Sequence, residues 1–279
     1  MDIVSANQYT FNQLTEAYNQ TRVDYMVPMP MNTARLKEYA RVYDVSLEHS
    51  AVARSSSETV FGLGMLGVRE ERAWITRLGV LPHGRRKGTG SAIMEKLLEQ
   101  ASASGAKMTW LEVIKGNDPA HNLFNKYGFS PTRELIVARR PPSSTIDPAV
   151  QKRVKIVKTL DHNDALFLLS NRKTRPNWLN ETESLRHVHN LSALQVECHG
   201  GGRGWVTYHA GLLQLTRIIV EVTHGDPTAV TETILFILHQ RHKRQDAVTE
   251  NLFDPLSWAG FQKAGYFDSF RRVEMNRPM

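Results

Sequence analysis

The chain has 279 residues, of which 41% are apolar, and it carries a formal net charge of +7. This length predicts two domains of about 130 to 150 residues, each able to bury a core. The 35 basic residues are scattered among 28 acidic ones, which disfavours nucleic acid as a partner. A single cysteine, Cys198, excludes an intrachain disulfide and disfavours a thiolate metal site.

The N-terminal sequence MDIVSANQYT lacks a basic segment followed by an apolar run, and no window approaches the ~18 apolar residues of a membrane helix. We therefore expect a cytoplasmic protein with no membrane partner. The histidines show no zinc-like spacing, so no metal site is predicted.

The first fifty residues predict two helices, FNQLTEAYNQ after an N-cap at Thr10 and ARLKEYARVY after Asn32 or Thr33. Pro28 and Pro30 exclude a helix between them. Strand-like segments separated by short polar turns follow, as in antiparallel sheets, at 50–57, 59–69 and 72–80.

A glycine-rich turn, HGRRKGTGSA, follows the third strand and leads into a helix that begins near Ile93 and stops at Gly105. Backbone N–H groups at a helix N-terminus favour phosphate. Gly88 and Gly90 allow a ligand to approach the backbone. The turn fits neither the Walker pattern, because Lys87 precedes Gly88, nor the dinucleotide fingerprint.

The strand MTWLEVI, residues 108–114, comes after that helix. A strand–loop–helix–strand order predicts a parallel crossover between 73–80 and 108–114. Parallel strands that separate at their carboxyl ends leave a crevice in which a ligand can bind.

Two motifs resemble the GNAT acetyltransferase superfamily. Arg85-x-x-Gly88-x-Gly90 is similar to the acyl-CoA pyrophosphate loop of that family. The family pattern Asn-x-x-Ala-x-x-Leu-Tyr-x-Lys-x-Gly-Phe is matched, except at its tyrosine, by Asn117, Ala120, Leu123, Lys126, Gly128 and Phe129. The resemblance covers roughly residues 1 to 140 and implies acetyl-CoA as the cofactor.

The second half of the chain repeats part of the first. Asp118-Pro119 before Phe124-x-Lys126-x-Gly128-Phe129 is echoed by Asp254-Pro255 before Phe261-x-Lys263-x-Gly265-Tyr266. The place of the phosphate loop is taken by HGDPTAV, in which Asp226 would repel a pyrophosphate. The second copy is therefore expected to be a degenerate GNAT-like domain.

The resemblance thus implies an α/β fold with two GNAT-like domains. Each would be a mixed, mainly antiparallel sheet with a central, splayed parallel strand pair and flanking helices. The expected boundaries are 1–140 for the catalytic domain, 141–150 for a proline-rich linker and 151–279 for the degenerate domain. After each Gly-Phe or Gly-Tyr turn only one strand remains, SPTRELIVARR and DSFRRVEMNR, so we expect the domains to share or exchange strands.

By the resemblance, the cofactor would be held by a loop, a strand end and the second motif. The cofactor-binding candidates are Leu78, Gly79, Val80, Arg85, Arg86, Lys87, Gly88, Thr89, Gly90, Ser91, Asn117, Ala120 and Phe124. A solvent-exposed loop is the alternative for the arginines, and a helix N-cap is the alternative for Asn117.

The base implied by the resemblance is Glu112, within Leu111-Glu112-Val113, and a solvent-facing strand glutamate is the alternative. In the family a tyrosine acts as the general acid that protonates the leaving thiolate of CoA. It falls at position 124, where this chain has phenylalanine. Tyr127 and Tyr25 are candidate replacements, and water is a third source of the proton.

The acceptor is expected to be a small-molecule amine or a protein amino group. Acceptor contacts implied by the resemblance are Tyr25, Met26 and Met29, although methionines of this kind also fill core gaps. A non-catalytic acyl-CoA-binding sensor is the alternative function, and Phe124 is the argument for it. A monomer is expected if the second domain substitutes for a dimer partner.

Overall fold

The computed structural model describes residues 1–57, 59–143, 147–173 and 175–279. The chain divides into two compact units, residues 1–133 with 273–279 and residues 134–272. Residues 144–146 of the predicted linker lie outside the described residues, and a short helix begins at Pro148. Each unit is a mixed α/β sheet with flanking helices, as the resemblance implied.

The first unit has the strand order β1-β2-β3-β4-β5-β12. Its strands are β1 (Asp2–Ser5), β2 (Val45–Arg54), β3 (Val60–Arg69), β4 (Arg72–Val80), β5 (Met108–Ile114) and the part of β12 (Phe267–Pro278) from residue 273 onward. Its helices are α1 (Phe11–Gln20), α2 (Thr33–Val42), α3 (Thr89–Ala103) and α4 (Asp118–Lys126).

The predicted helix starts are confirmed, since Thr10 caps α1 in a capping box with Gln13 and Asn32 caps α2. The prediction for the next strand was wrong at its start, because β2 begins at Val45 rather than at residue 50. Its first five residues are half-buried or exposed, so they show no clear apolar alternation. The short strand β1 was not predicted and pairs antiparallel with β2.

The second unit has the strand order β6-β11-β10-β9-β8-β7. Its strands are β6 (Ser130–Arg140) from residue 134 onward, β7 (Val154–Leu160), β8 (Leu191–Cys198), β9 (Arg203–Ala210), β10 (Gln214–His224) and β11 (Asp246–Leu252). Its helices are α5 (Pro148–Gln151), α6 (His162–Ser170), α7 (Thr182–Arg186), α8 (Pro227–Arg241) and α9 (Pro255–Lys263).

Each unit takes one outer strand from the other half of the sequence. Residues 273–279 belong to the first unit, where the backbone N–H of Met279 donates to Lys107 O at 3.0 Å. Residues 134–140 belong to the second unit, where β6 pairs antiparallel with β11. The two units therefore exchange strands, and the division between them falls after residue 133.

A splayed parallel strand pair is present in both units, as expected. In the first unit β4 and β5 pair from Arg72↔Met108 to Ile75↔Leu111 and then separate. In the second unit β10 and β11 pair at Gln214↔Asp246 and Leu215↔Ala247. Just after these pairs each unit has a β-bulge, with Arg77 and Arg217 both at a φ of 53°.

The core of the first unit lies between its sheet and α3, which buries Ile93, Met94, Leu97 and Leu98 along one face. Gly64 of β3 lies beneath this helix, and a Cβ there would stand 2.7 Å from Leu97 Cδ1. A larger residue there would force the side chains of Leu97 and Ile93 to move, so glycine lets α3 pack closely on the sheet.

Within the described residues, no helix has the length and apolarity needed to cross a membrane.

Candidate active site

The glycine-rich turn of the first unit closes between β4 and α3. A short 3₁₀ helix, Pro82–Gly84, begins the turn, and the hydroxyl of Thr89 donates to Gly84 O at 2.9 Å across it. Gly88 is the N-cap of α3 at a φ of 80°, a left-handed conformation that glycine adopts without strain. The turn therefore presents the N-terminus of α3 without a side-chain cap.

The backbone N–H groups of residues 86–91 have no hydrogen-bond acceptor in the part of the chain that the structure describes. These groups belong to Arg86, Lys87, Gly88, Thr89, Gly90 and Ser91, which were all predicted to bind the cofactor. The first N–H groups of a helix, together with its dipole, form an anion site. The arrangement fits a pyrophosphate held mainly by the backbone.

Arg85 is held by protein groups. Its guanidinium forms a bidentate ion pair with Asp24, in which Nη1 lies 2.5 Å from Oδ2 and Nη2 lies 2.7 Å from Oδ1. Its Nε donates to Val80 O at 3.0 Å. The hydrogen bond from Arg85 lowers the pKa of Asp24 below its usual value. Asp24 therefore competes with phosphate for the arginine that the sequence motif emphasises.

The end of β4 is covered by the residues that follow α1. Arg22 Nη2 donates to Leu78 O at 3.0 Å. At Gly79 an added Cβ would stand 2.5 Å from Thr21 Oγ1, so no larger residue fits. Of the predicted strand-end contacts, Leu78 and Val80 thus have carbonyls that already accept arginine hydrogen bonds.

Glu112 lies where the parallel strands separate. It is the first residue of β5 beyond the last pair, Ile75↔Leu111, and it is half-buried. The neighbouring Tyr39 is buried, and its hydroxyl lies 2.6 Å from Thr76 Oγ1. Burial raises the pKa of Tyr39 strongly, the Arg77 charge and the Thr76 hydrogen bond offset part of that rise, and the Glu112 charge adds a smaller one. The crevice floor therefore combines a carboxylate with a protonated phenol.

Tyr25 and Asn117 come together at the opening of this crevice. Asn117 caps α4 by accepting from Ala120 N at 3.4 Å, and its Nδ2 donates to the Tyr25 hydroxyl at 3.2 Å. The guanidinium of Arg22 stacks 4.1 Å from the centre of the Tyr25 ring. Both expected roles of Asn117, helix cap and site residue, are compatible with this geometry.

Tyr127 is directed toward α3. Its hydroxyl donates to Glu95 Oε1 at 2.6 Å and contacts Ser91 O at 3.4 Å. Burial raises the pKa of Tyr127, and the bond to Glu95 adds to the shift. Phe124 is buried and packs edge-to-face on Phe129 at 6.3 Å between ring centres. The O–H group of Tyr127 therefore already donates a hydrogen bond to the exposed Glu95.

The predicted acceptor wall lies in the segment between α1 and α2. Met29 contacts Arg77, whose Nη1 lies 3.8 Å from the methionine sulfur, and Met29 O accepts from the Tyr18 hydroxyl at 3.0 Å. Met26 is exposed, and its Cε lies 3.7 Å from the Cβ position of Gly116. This segment thus contacts Arg77 in the outer part of β4 and lies close to Gly116, just after the end of β5.

Arg77, Tyr18 and Tyr39 were not identified from the sequence. Arg77 Nη1 donates to the Tyr18 hydroxyl at 3.2 Å, and the guanidinium lies 4.3 Å from the centre of the Tyr39 ring. A signal was present, because Ile-Thr-Arg-Leu at 75–78 is repeated as Leu-Thr-Arg-Ile at 215–218. This repeat marks the bulge in each unit.

The corresponding helix start in the second unit is closed by its own residues. Asp226 caps α8 by accepting from Ala229 N at 2.7 Å, and Pro227 removes one N–H group. The carboxylate occupies the position at which an anion would bind α8. This arrangement agrees with the expected loss of the cofactor loop.

Comparison with known proteins finds a family match in the first unit. Residues 12–129 match the acetyltransferase (GNAT) family model, a range that contains the turn, the crevice and α4. This match lies within the first unit and spans less than half of the chain. The chain is 34% identical over 77 residues to an uncharacterized N-acetyltransferase, YobR, of Bacillus subtilis (strain 168), a match that spans 28% of this chain and 31% of that protein.

Solved structures extend the GNAT fold to the second unit. A GCN5-related N-acetyltransferase from Sphaerobacter thermophilus matches 96% of this chain and 92% of its own, with a TM-score of 0.70 and 14% identity. A tandem GNAT protein from the clavulanic acid biosynthesis pathway matches 99% of this chain and 98% of its own, with a TM-score of 0.66 and 15% identity. At these identities the likeness is one of fold.

Proposed function

We propose that the first unit is an acetyl-CoA-dependent N-acetyltransferase in which an amine attacks the thioester directly. The observation that carries the proposal is the row of backbone N–H groups at residues 86–91, which lack protein acceptors in the described chain. Acetyl-CoA, when bound, supplies the activated acetyl group and a thiolate leaving group. The glycine-rich turn would hold its pyrophosphate, and the separated ends of β4 and β5 would receive its arm.

Two residues of the crevice fit the proton transfers of this reaction. Glu112, at the point of strand separation, would take the proton from the attacking amine. Tyr25 would donate a proton to the leaving thiolate, because its oxygen accepts from Asn117 and its own O–H has no acceptor in the described residues. Tyr127 fits this role less well because its O–H is bonded to Glu95.

The proposed acceptor is a small-molecule amine or a protein amino group that reaches the crevice along the segment between α1 and α2. Arg22 and Arg85 hold the carbonyls of Leu78 and Val80, so the arm of acetyl-CoA would share or displace these arginine donors. Release of free thiol, measured across a panel of amines and peptide N-termini, identifies the acceptor class.

The cofactor assignment is tested by copying the closed helix start of the second unit into the first. Gly88→Asp would place a carboxylate at the N-cap of α3, and Gly88→Asn would place an uncharged side chain of the same shape there. Both residue types tolerate the left-handed conformation of Gly88. Calorimetry should show acetyl-CoA affinity reduced about tenfold or more in Gly88→Asp relative to Gly88→Asn. Equal affinities would contradict a pyrophosphate at this turn.

A non-catalytic acyl-CoA sensor is the second candidate, favoured by the buried phenylalanine at position 124. A sensor would bind acetyl-CoA with the same dependence on Gly88 but would release no thiol with any amine. Acceptor-dependent thiol release by the wild-type chain would exclude it.

A further inference from the structure

The second unit contains a cavity of about 170 Å³ beyond the point where β10 and β11 last pair, at Leu215↔Ala247. Its walls come from the outer half of β10, the end of β11, the start of α9 and the residues Arg172, Pro176, Asn177 and Asn180. The apolar part of the lining includes Ile218, Ile219, Val220, Val222, Leu252 and Phe261. At ~10–15 Å³ for each water-sized group, the cavity holds on the order of ten heavy atoms.

A cation with unused hydrogen-bonding capacity lines this cavity. Arg172 Nε donates to Leu169 O at 3.0 Å and Nη2 donates to Asn180 O at 2.7 Å. These bonds fix the guanidinium, while Nη1 has no acceptor among the described residues. Burial lowers the pKa of Arg172 to about 10, so the group is still charged at neutral pH.

A carboxylate with an unused oxygen lines the same cavity. Glu221 Oε1 accepts from the backbone N–H of Lys173 at 3.1 Å, whereas Oε2 is buried and has no donor among the described residues. A buried carboxylate oxygen without a donor loses its hydration without compensation, which costs free energy of folding. A ligand that supplies an N–H group at this position would remove that cost.

Arg172 and Glu221 do not pair with each other in the structure, although the Glu221 charge influences Arg172. The two opposite charges therefore both line an apolar cavity without forming an ion pair with each other. We infer that this cavity binds a small zwitterion with an apolar body, which is the chemistry of a free α-amino acid such as leucine. Its carboxylate would accept from Arg172 Nη1, and its ammonium group would donate to Glu221 Oε2.

The cavity is unsuited to a second acyl-CoA. The helix start nearby begins with Pro227, which has no N–H group, and the Asp226 carboxylate accepts from Ala229 N, so a negative charge stands where a phosphate would bind. Asp254, also in the lining, already accepts from Leu256 N and Ser257 N. The charges that remain available are one guanidinium and one carboxylate.

Calorimetry and saturation-transfer NMR on the full chain would test this inference with L-leucine, L-valine and L-phenylalanine. The matched probes are 3-methylbutylamine, which lacks the carboxylate of leucine, and 4-methylpentanoate, which lacks its ammonium group. We expect at least one amino acid to bind, and each truncated probe to bind about tenfold or more weakly because one buried charge is left unpaired. No amino acid binding at ~10 mM would overturn the inference.

Variants assign the binding to this cavity rather than to the acceptor crevice of the first unit. Arg172→Gln should weaken leucine about tenfold and leave the amine probe unchanged, whereas Glu221→Gln should weaken leucine and leave the acid probe unchanged. Ile219→Phe keeps both charges and fills the cavity, and it should abolish binding while circular dichroism shows a folded chain. Leucine binding that none of these changes affects would contradict the assignment.

Discussion

The side chain of Asn117 donates to the hydroxyl oxygen of Tyr25 at 3.2 Å, although the two residues are 92 positions apart. The bond joins the cap of α4 to the segment between α1 and α2, the two parts of the first unit that the sequence assigned to cofactor and acceptor. Because the oxygen of Tyr25 accepts this bond, its O–H remains available as a donor.

Tyr25→Phe should therefore reduce kcat about a hundredfold while changing the Kd for acetyl-CoA less than about threefold. Tyr127→Phe removes a hydroxyl that donates to Glu95 and should cost much less. Steady-state thiol release, with acetyl-CoA binding measured separately, distinguishes the two tyrosines. A larger loss in Tyr127→Phe would reverse the assignment of the acid.

Glu112→Gln should reduce kcat by about 10² to 10⁴, since general bases contribute rate factors of this size. The loss should be smaller at high pH, where more of the amine acceptor is already unprotonated. Glu99→Gln, on the exposed side of α3 and paired with Lys96, is the matched control and should retain full activity. Rates that are equal in both variants would show that Glu112 is not the base.

Asp24→Asn should strengthen acetyl-CoA binding about threefold to tenfold, because it releases Arg85 and removes a negative charge beside the glycine-rich turn. Glu16→Gln removes an equal charge from the exposed side of α1 and should leave binding unchanged. Calorimetry at low and high salt provides the measurement. Weaker binding in Asp24→Asn would show that the ion pair shapes the site rather than competing with the ligand.

His239 should make the second unit less stable in acid. It is 4% exposed, its Nε2 lies 3.0 Å from the Tyr266 hydroxyl, and burial lowers its pKa from 6.5 to about 3. The unfolded chain binds this proton first as the pH falls, so the stabilisation is present above pH 6.5 and is lost between 6.5 and 3. At pH 5 the loss should reach about 2 kcal/mol.

Urea unfolding between pH 7 and pH 5 measures this effect. His239→Gln keeps a hydrogen-bonding side chain that does not titrate, and its stability should depend less on pH. His224→Gln, at an exposed position at the end of β10, should retain the dependence of the wild type. An unchanged pH dependence in His239→Gln would exclude His239 as its source.

Local patterns in the sequence determined the helices, most strands and the glycine-rich turn. Thr10, Asn32 and Gly88 act on their own neighbours within one or two turns, so their roles as N-caps depend on little beyond adjacent residues. The parallel crossover from β4 to β5 also followed from chain order, because a helix between two strands returns the chain in the same direction.

The tertiary structure alone decided which side chains meet at the site. Arg85 carries the loop motif, yet its partner Asp24 lies 61 positions away and was not predicted. The hydroxyl of Tyr127 is directed toward Glu95 on α3, whereas Tyr25 reaches Asn117 from another segment. Likewise, Arg172 and Glu221 line one cavity only because the segment around residue 172 folds against β10. Such pairings depend on long-range packing, and the spacing of residues along the chain does not show which distant residues will meet.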